Sequence, residues 1–269
     1  MNLENKIANW MELGIKPYDE VMEIQDRLVE LRASGLIPDT IISVQHPLTV
    51  SFGVDSKNNQ FSDLFLSRVQ QAYGNTEESS IMEYLSDNGA SFSLSKRGGG
   101  ATVFALGQFA FYPVVNHCDI TGSHQLDVGA YKSVIYRTLF QSLRNLGVEG
   151  IKVSSSLDYA TRNERKDAWI ERGGVTLKMG SKGIGMKRGV AYHGFALNAT
   201  REGISRSWMV NQCGYRPEEV KLWSVEHELN KKVEPKEVYD AVQKSIMANF
   251  GYAGFQKIDL EKLEVKNAC

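Results

Sequence analysis

Val21, Ile24, Leu28 and Leu31 recur at helical spacing after Pro17-Tyr-Asp-Glu20, which puts them on one face and predicts an amphipathic helix ending near Gly35. Thr40-Ile-Ile-Ser-Val-Gln45 is instead the short apolar run of a buried strand, leading into His46-Pro47. Phe92-Ser-Leu-Ser-Lys96 alternates as a half-buried strand does and delivers Arg97-Gly-Gly-Gly100 to a loop. Phe109 to Val115 reads as another strand, and Tyr131, Val134, Ile135, Leu139 and Leu143 then return to helical spacing, stopping at Gly147. Short strands are expected over 151–155, 168–171, 175–179 and 190–198, joined by glycine-rich turns into antiparallel hairpins. Helices are expected over 217–229 and 235–250, each opening with a proline near its first turn and covering one edge of the sheet.

Strands and helices neither alternate strictly nor segregate, so the predicted class is α+β, a mixed α/β arrangement, in one domain over 1–269. The polar stretch 75–88 reads as a surface insertion rather than a linker. A hydrophobic content of 42% over 269 residues is ample for a core. The net charge of −1 supplies no global field to hold nucleic acid. Phe104 to Val115, the most apolar stretch, is too short and too interrupted by Gly107 and Gln108 to span a bilayer. Met1-Asn-Leu-Glu-Asn-Lys6 lacks the apolar core of a signal peptide, which makes the cytoplasm the expected compartment. Three cysteines without Cys-x-x-Cys spacing argue against a disulfide framework or a structural zinc, and the five histidines show no metal-ligand spacing. Free thiols are the expectation.

One of those thiols has a chemical context. Cys213 lies in Met209-Val-Asn-Gln-Cys-Gly-Tyr215, 35 residues after Lys178. A thiol of ordinary acidity is only about 3% thiolate near neutrality, whereas an ammonium within roughly 4–6 Å lowers its pKa by about 1–3 units. A Cys213/Lys178 pair would therefore suit transfer of an acyl group from a thioester to an amine. The competing reading of Cys213 is a small core residue, against which its polar flanks in a turn weigh. Cys118 follows a strand-like run and Cys269 is terminal, so both are poorer nucleophile candidates. Arg97-Gly-Gly-Gly100 reads either as a ligand-binding loop or as a plain turn, and His193 either as a site residue or as a satisfied core histidine. Lys178, Lys182, Lys187 and Arg188 put four positive charges into eleven residues, either a solvated face or a docking patch for an acidic protein.

Taken together the segments resemble the lipoyl(octanoyl) transferases, the octanoyl-carrier-protein:protein octanoyltransferases of lipoate biosynthesis. The similarity runs in order through Leu13-Gly-Ile-Lys-Pro-Tyr18 with Gln25, then Gln45-His-Pro47 with Gly53. It continues through Arg97-Gly-Gly99, Thr102 and Gly107-Gln108, which resemble the family's Arg-Gly-Gly-x-x-Thr-Tyr-His-Gly-Pro-Gly-Gln. Lys178-Met-Gly-Ser-Lys-Gly183, Gly189, His193-Gly-Phe-Ala-Leu-Asn198 and Asn211-Gln-Cys-Gly214 complete it. Two departures stand out: Val103-Phe104-Ala105-Leu106 replaces Tyr-His-Gly-Pro, and Gln212 replaces the proline before the cysteine.

The resemblance implies the catalytic fold of biotin and lipoate protein ligases, with Cys213 as nucleophile and Lys178 as its activator. It implies a substrate site lined by Arg97, Gly98, Gly99, Thr102, Phe104, Ser181, Lys182, Gly183, His193, Gly194, Phe195 and Ala196. The implied donor is octanoyl-acyl carrier protein. The implied acceptors are lipoyl domains of 2-oxoacid dehydrogenase complexes or the glycine cleavage H protein. No cofactor or metal is required, because the thioester is already activated, and a monomer is expected. The rival readings are an amidotransferase moving octanoyl or lipoyl groups between protein domains, a non-catalytic binder of acyl carrier or lipoyl domains, and an ATP-dependent ligase of the same fold.

Overall fold

The computed structural model describes residues 6–56, 61–153, 167–211 and 221–260. Its first half runs β1 (Ile7–Ile15), α1 (Tyr18–Ala33), β2 (Thr40–Gln45), β3 (Thr49–Phe52), α2 (Asp63–Tyr73), α3 (Glu78–Asp87), β4 (Ser91–Leu94), β5 (Ala101–Phe104) and β6 (Gln108–Asn116). The second half runs α4 (His117–Thr121), α5 (Val128–Asn145), β7 (Ile151–Val153), β8 (Ala168–Arg172), β9 (Val175–Lys187), β10 (Val190–Asn198), β11 (Lys221–Leu222), α6 (Val225–Leu229), α7 (Pro235–Phe250) and β12 (Gly254–Lys257).

The main sheet has the order β12-β1-β2-β6-β10-β9-β8-β7, with β11 paired to β9. Its centre is antiparallel, while β12, β1 and β2 run parallel to one another. β6 explains the layering: Phe109, Phe111 and Val115 face one helical layer, Ala110, Tyr112 and Val114 the other. On the first face lie Val134, Ile135 and Leu139 of α5 with Val238, Val242 and Ile246 of α7; on the second lie Val21, Ile24, Leu28 and Val29 of α1. Both faces being covered, eight of the nine β6 residues are buried and the strand reads as a continuous apolar run. β9 and β10 form a hairpin across Arg188 and Gly189, whose φ values of 52° and 78° fit a two-residue left-handed turn. Asp39 ties the N-terminal and C-terminal segments together. Its buried carboxylate accepts from Lys6, Arg32, the Asn116 N–H and the Tyr252 hydroxyl. Burial pushes its pKa up, but the Lys6 and Arg32 charges hold it below the usual carboxylate value.

A second sheet, β4-β3-β5, carries its own core: Val50, Phe65, Val69, Leu85, Val103, Met209 and Val210. Here the structure differs from the sequence expectations. The stretch 75–88 is largely exposed, as a surface segment is, but it carries a helix not foreseen, α3, whose Leu85 is buried in this small core. The expected helix over 217–229 is, in its described part, the strand β11 followed by α6. β9 extends to Lys187, well beyond the expected end at 179, because Gly180, Gly183 and Gly185 soften the alternation without interrupting the pairing with β10. α7 packs with α5 on a face of the sheet rather than at its edge. No helix among the described residues is long and apolar enough to cross a membrane.

Candidate active site

A pocket opens on the α1 side of the main sheet, beyond the N-terminal end of that helix. Much of its floor is one face of three neighbouring strands: Gln108 and Tyr112 of β6, Lys178, Ser181 and Gly183 of β9, where a register shift against β8 changes the alternation after Lys178, and Gly194, Ala196 and Asn198 of β10. The roof is the loop and strand Arg97, Gly99 to Thr102 and Phe104, and Tyr18 and Leu222 close two corners. Lys182, His193 and Phe195 complete the lining. Of the site residues expected from sequence, the structure brings all but two together here. Gly98 lies behind the roof, where its N–H donates to the Ile184 carbonyl at 3.0 Å. Cys213 lies outside the described residues, as do Cys269 and Gln212. The last described residue before it, Asn211, donates from Nδ2 to the Phe61 carbonyl at 3.3 Å, and Val210 forms a β-bridge with Phe61.

The roof is fastened by backbone proximity. A side chain on Gly183 would place its Cβ 2.8 Å from the Gly98 carbonyl and 3.1 Å from Arg97 Cδ, so glycine is what lets the loop lie on β9. Arg97 is buried and donates from Nη2 to the Ser51 carbonyl at 2.9 Å. Gly194 has the same role on the other strand pair, since a Cβ there would sit 2.3 Å from the Phe111 carbonyl and 2.6 Å from Pro113 Cδ.

Next to Gly194 the backbone is strained: His193 is a non-glycine residue at φ 57° within a strand. The Gln25 Oε1 atom of α1 accepts its N–H at 2.8 Å. The His193 ring is buried, with neither nitrogen bonded to a protein group. Burial, aided by the nearby Arg97 charge, lowers its pKa to about 3, so the ring is neutral at physiological pH. His46 is likewise buried and lowered to about 4; its Nδ1 contacts the Lys16 carbonyl at 2.8 Å and its Nε2 the Tyr112 hydroxyl at 2.9 Å. Phe104, where the resemblance expects an imidazole, meets the His46 ring edge-on at 5.2 Å.

Lys178 is almost wholly buried on β9, 1% exposed, yet lines the pocket. β11 takes over the edge of β9 that β10 leaves, and the Lys178 carbonyl accepts both the Trp223 N–H at 2.9 Å and Asn198 Nδ2 at 3.1 Å. Gln108 Nε2 in turn donates to Asn198 Oδ1 at 3.1 Å, so two residues of the resemblance motifs fix the lysine's backbone. Its Nζ pairs with Asp167 Oδ2 at 2.7 Å. Asp167 is the residue that sequence reasoning missed: one acid among the charges of a polar stretch, whose only signal is its place directly before the apolar strand β8.

The expected basic patch does not form as one surface. Lys178 is buried, Lys182 reaches over the Tyr136 ring at 4.3 Å, and Lys187 and Arg188 both pair with Glu30 at 2.8 and 2.5 Å. A single acid from α1 thus pairs with both cations at the β9–β10 turn. Cys118 is half-buried, its Sγ 3.5 Å from His117 Nε2, and takes no part in the pocket. Among the described residues no group of three or more histidines, cysteines or acids is placed to hold a metal ion.

The family model for the lipoyl protein ligase A/B catalytic domain matches residues 17–247. The chain belongs to that family. Similar curated proteins include the octanoyltransferase of Syntrophotalea carbinolica, 29% identical over 76% of this chain and 76% of that protein. The octanoyltransferase of Koribacter versatilis is 25% identical over 90% of this chain and 82% of its own length. Among solved structures, the fold is shared with a lipoate-protein ligase A bound with ATP, at a TM-score of 0.63 and 16% identity, covering 97% of this chain and 93% of that one. It is shared also with the bi-partite lipoate protein ligase of Thermoplasma acidophilum, at a TM-score of 0.62 and 16% identity over 97% and 91% of the two chains. The expected lipoate-ligase fold and family are thus established.

Proposed function

We propose that this member of the family is an octanoyltransferase that moves the octanoyl group of octanoyl-acyl carrier protein to a lysine of a lipoyl domain through a thioester on Cys213. The observation that carries the reading is the buried, ion-paired Lys178 at a pocket whose lining includes apolar rings, in a chain whose curated relatives are named octanoyltransferases. The Cys213 thiolate attacks the donor's carbonyl carbon, and the tetrahedral intermediate collapses by expelling the carrier's thiolate, which takes up a proton. The acceptor's neutral amine then attacks the acyl-enzyme, loses a proton and expels the Cys213 thiolate. Lys178 supplies the positive charge that favours the thiolate in both halves. Backbone N–H groups near Cys213 or along 194–196 stabilise the developing oxyanion. Arg97, Thr102 and Phe104 from the roof, with Ser181, Lys182 and Gly183 from β9, hold the acyl portion. A free thiol of this kind fits the reducing cytoplasm.

The test offers the protein three donors with a lipoyl domain as acceptor: octanoyl-acyl carrier protein, free octanoate with ATP, and an octanoylated lipoyl domain or H protein. Amide formation from the carrier thioester alone is expected. Product only with ATP would make the chain a ligase, product only from the acylated domain an amidotransferase, and no product a binding homologue.

A further inference from the structure

Asp167 and Lys178 form a buried ion pair at the pocket. Asp167 does not line the pocket, whereas Lys178 does, and their contact of 2.7 Å is buried on both sides, with 5% and 2% of the side chains exposed. The second oxygen, Oδ1, accepts the Lys182 backbone N–H at 3.1 Å, so one carboxylate spans two points of β9 four residues apart. The lysine is also fixed from behind, through its carbonyl, by Trp223 and Asn198. Facing the pair are the Trp169 ring of β8, 5.7 Å from Nζ, and the second ammonium, Lys182, which lies over Tyr136 of α5.

An ammonium buried this deeply keeps its proton only beside a negative charge, and a neutral amine does nothing for a thiolate. Stability alone does not account for the pair, since a buried ion pair is on average no better than two apolar side chains of similar volume. We infer that Asp167 is a positioning residue for acyl transfer, keeping Lys178 protonated and its Nζ held at the pocket without itself touching substrate. The inference rests on the thiol-transfer reading above. The Asp167 carboxyl carries the matching signature: burial would raise its pKa, but the Lys178 charge and hydrogen bond, with Lys182 behind them, bring it below the usual value.

The test measures two quantities across about pH 5 to pH 10: single-turnover octanoylation of Cys213 from octanoyl-acyl carrier protein, and alkylation of Cys213 followed by peptide mass spectrometry. Asp167→Asn is expected to move both curves upward by about 1 unit or more and to slow acylation near neutrality by about tenfold, with donor KM changed less than about twofold. Asp167→Glu is expected to recover part of the loss. Asp167→Asn combined with Lys178→Met should be no slower than Lys178→Met alone, because Asp167 acts only through the lysine; this pair of variants decides the matter if Asp167→Asn alone does not fold. Coincident curves for wild type and Asp167→Asn, or losses that multiply in the double variant, overturn the assignment. A wild-type protein never acylated at Cys213 would overturn the transfer reading itself, a result distinct from normal acylation with an unmoved Asp167→Asn curve.

Discussion

Phe104 stacks on Tyr18 with ring centroids 5.1 Å apart and planes inclined by 27°. With His46 packed edge-on against both, these two rings make one part of the pocket wall apolar, where a protonatable side chain was expected from the family pattern. Contact with an acyl tail, and not proton transfer, is the chemistry such a wall offers.

Chain-length preference follows from that contact. Each buried methylene contributes about 0.8 kcal/mol, so a donor two carbons shorter than the optimum is expected to lose about 1.6 kcal/mol, roughly fifteenfold in kcat/KM. Phe104→Ala should flatten the preference or shift it to longer chains, while Phe104→His leaves the acyl-enzyme intact. Single-turnover acylation with six-, eight-, ten- and twelve-carbon donors measures this; identical profiles in all three proteins would remove residue 104 from the acyl site.

Gln25 holds His193 in its left-handed conformation by accepting the backbone N–H at 2.8 Å. Gln25→Leu leaves that buried donor without its partner and is expected to cost about 1–3 kcal/mol. Because His193 and Gly194 line the pocket, donor KM should rise as well. Urea unfolding and steady-state kinetics read the two effects, and a stable variant with unchanged KM would show that another group supports the turn.

Acid should destabilise the protein well before its carboxylates titrate. His46 and His193 have folded pKa values lowered by burial to about 4 and about 3, from an ordinary value of 6.5. Between those limits the unfolded chain binds protons that the folded one refuses, so stability falls as pH drops from 6.5 and the histidine contribution is constant above it. At pH 5 the loss is on the order of 2 kcal/mol per histidine. Urea midpoints at neutral pH and at about pH 5 test it. A midpoint independent of pH over this range would mean that the rings are solvated or already charged.

How much of this was legible in the chain depends on the kind of residue. α1, β2, β10 and α7 announced themselves through periodicity and their punctuating prolines and glycines, and the motifs 97–108, 178–183 and 193–198 converged on one pocket. The small sheet did not, because β3 and β5 are four residues each and bury their side chains against α2, α3 and the turn at 207–209, contacts between segments far apart in sequence. Charge was misread for the same reason. Lys187 and Arg188 look unpaired along the chain because Glu30 is more than 150 residues away, and Asp167 looks solvated because the hairpin expected over 168–179 does not by itself place its carboxylate beside Lys178.

The central claim is that an acyl group passes through a thioester on Cys213, and intact-mass analysis after brief incubation with octanoyl-acyl carrier protein tests it most directly. The account predicts one added octanoyl group that maps to Cys213, disappears in hydroxylamine, is absent in Cys213→Ala, and is discharged when a lipoyl domain is added. An adduct that resists hydroxylamine, persists in Cys213→Ala or maps to Cys118 would contradict it.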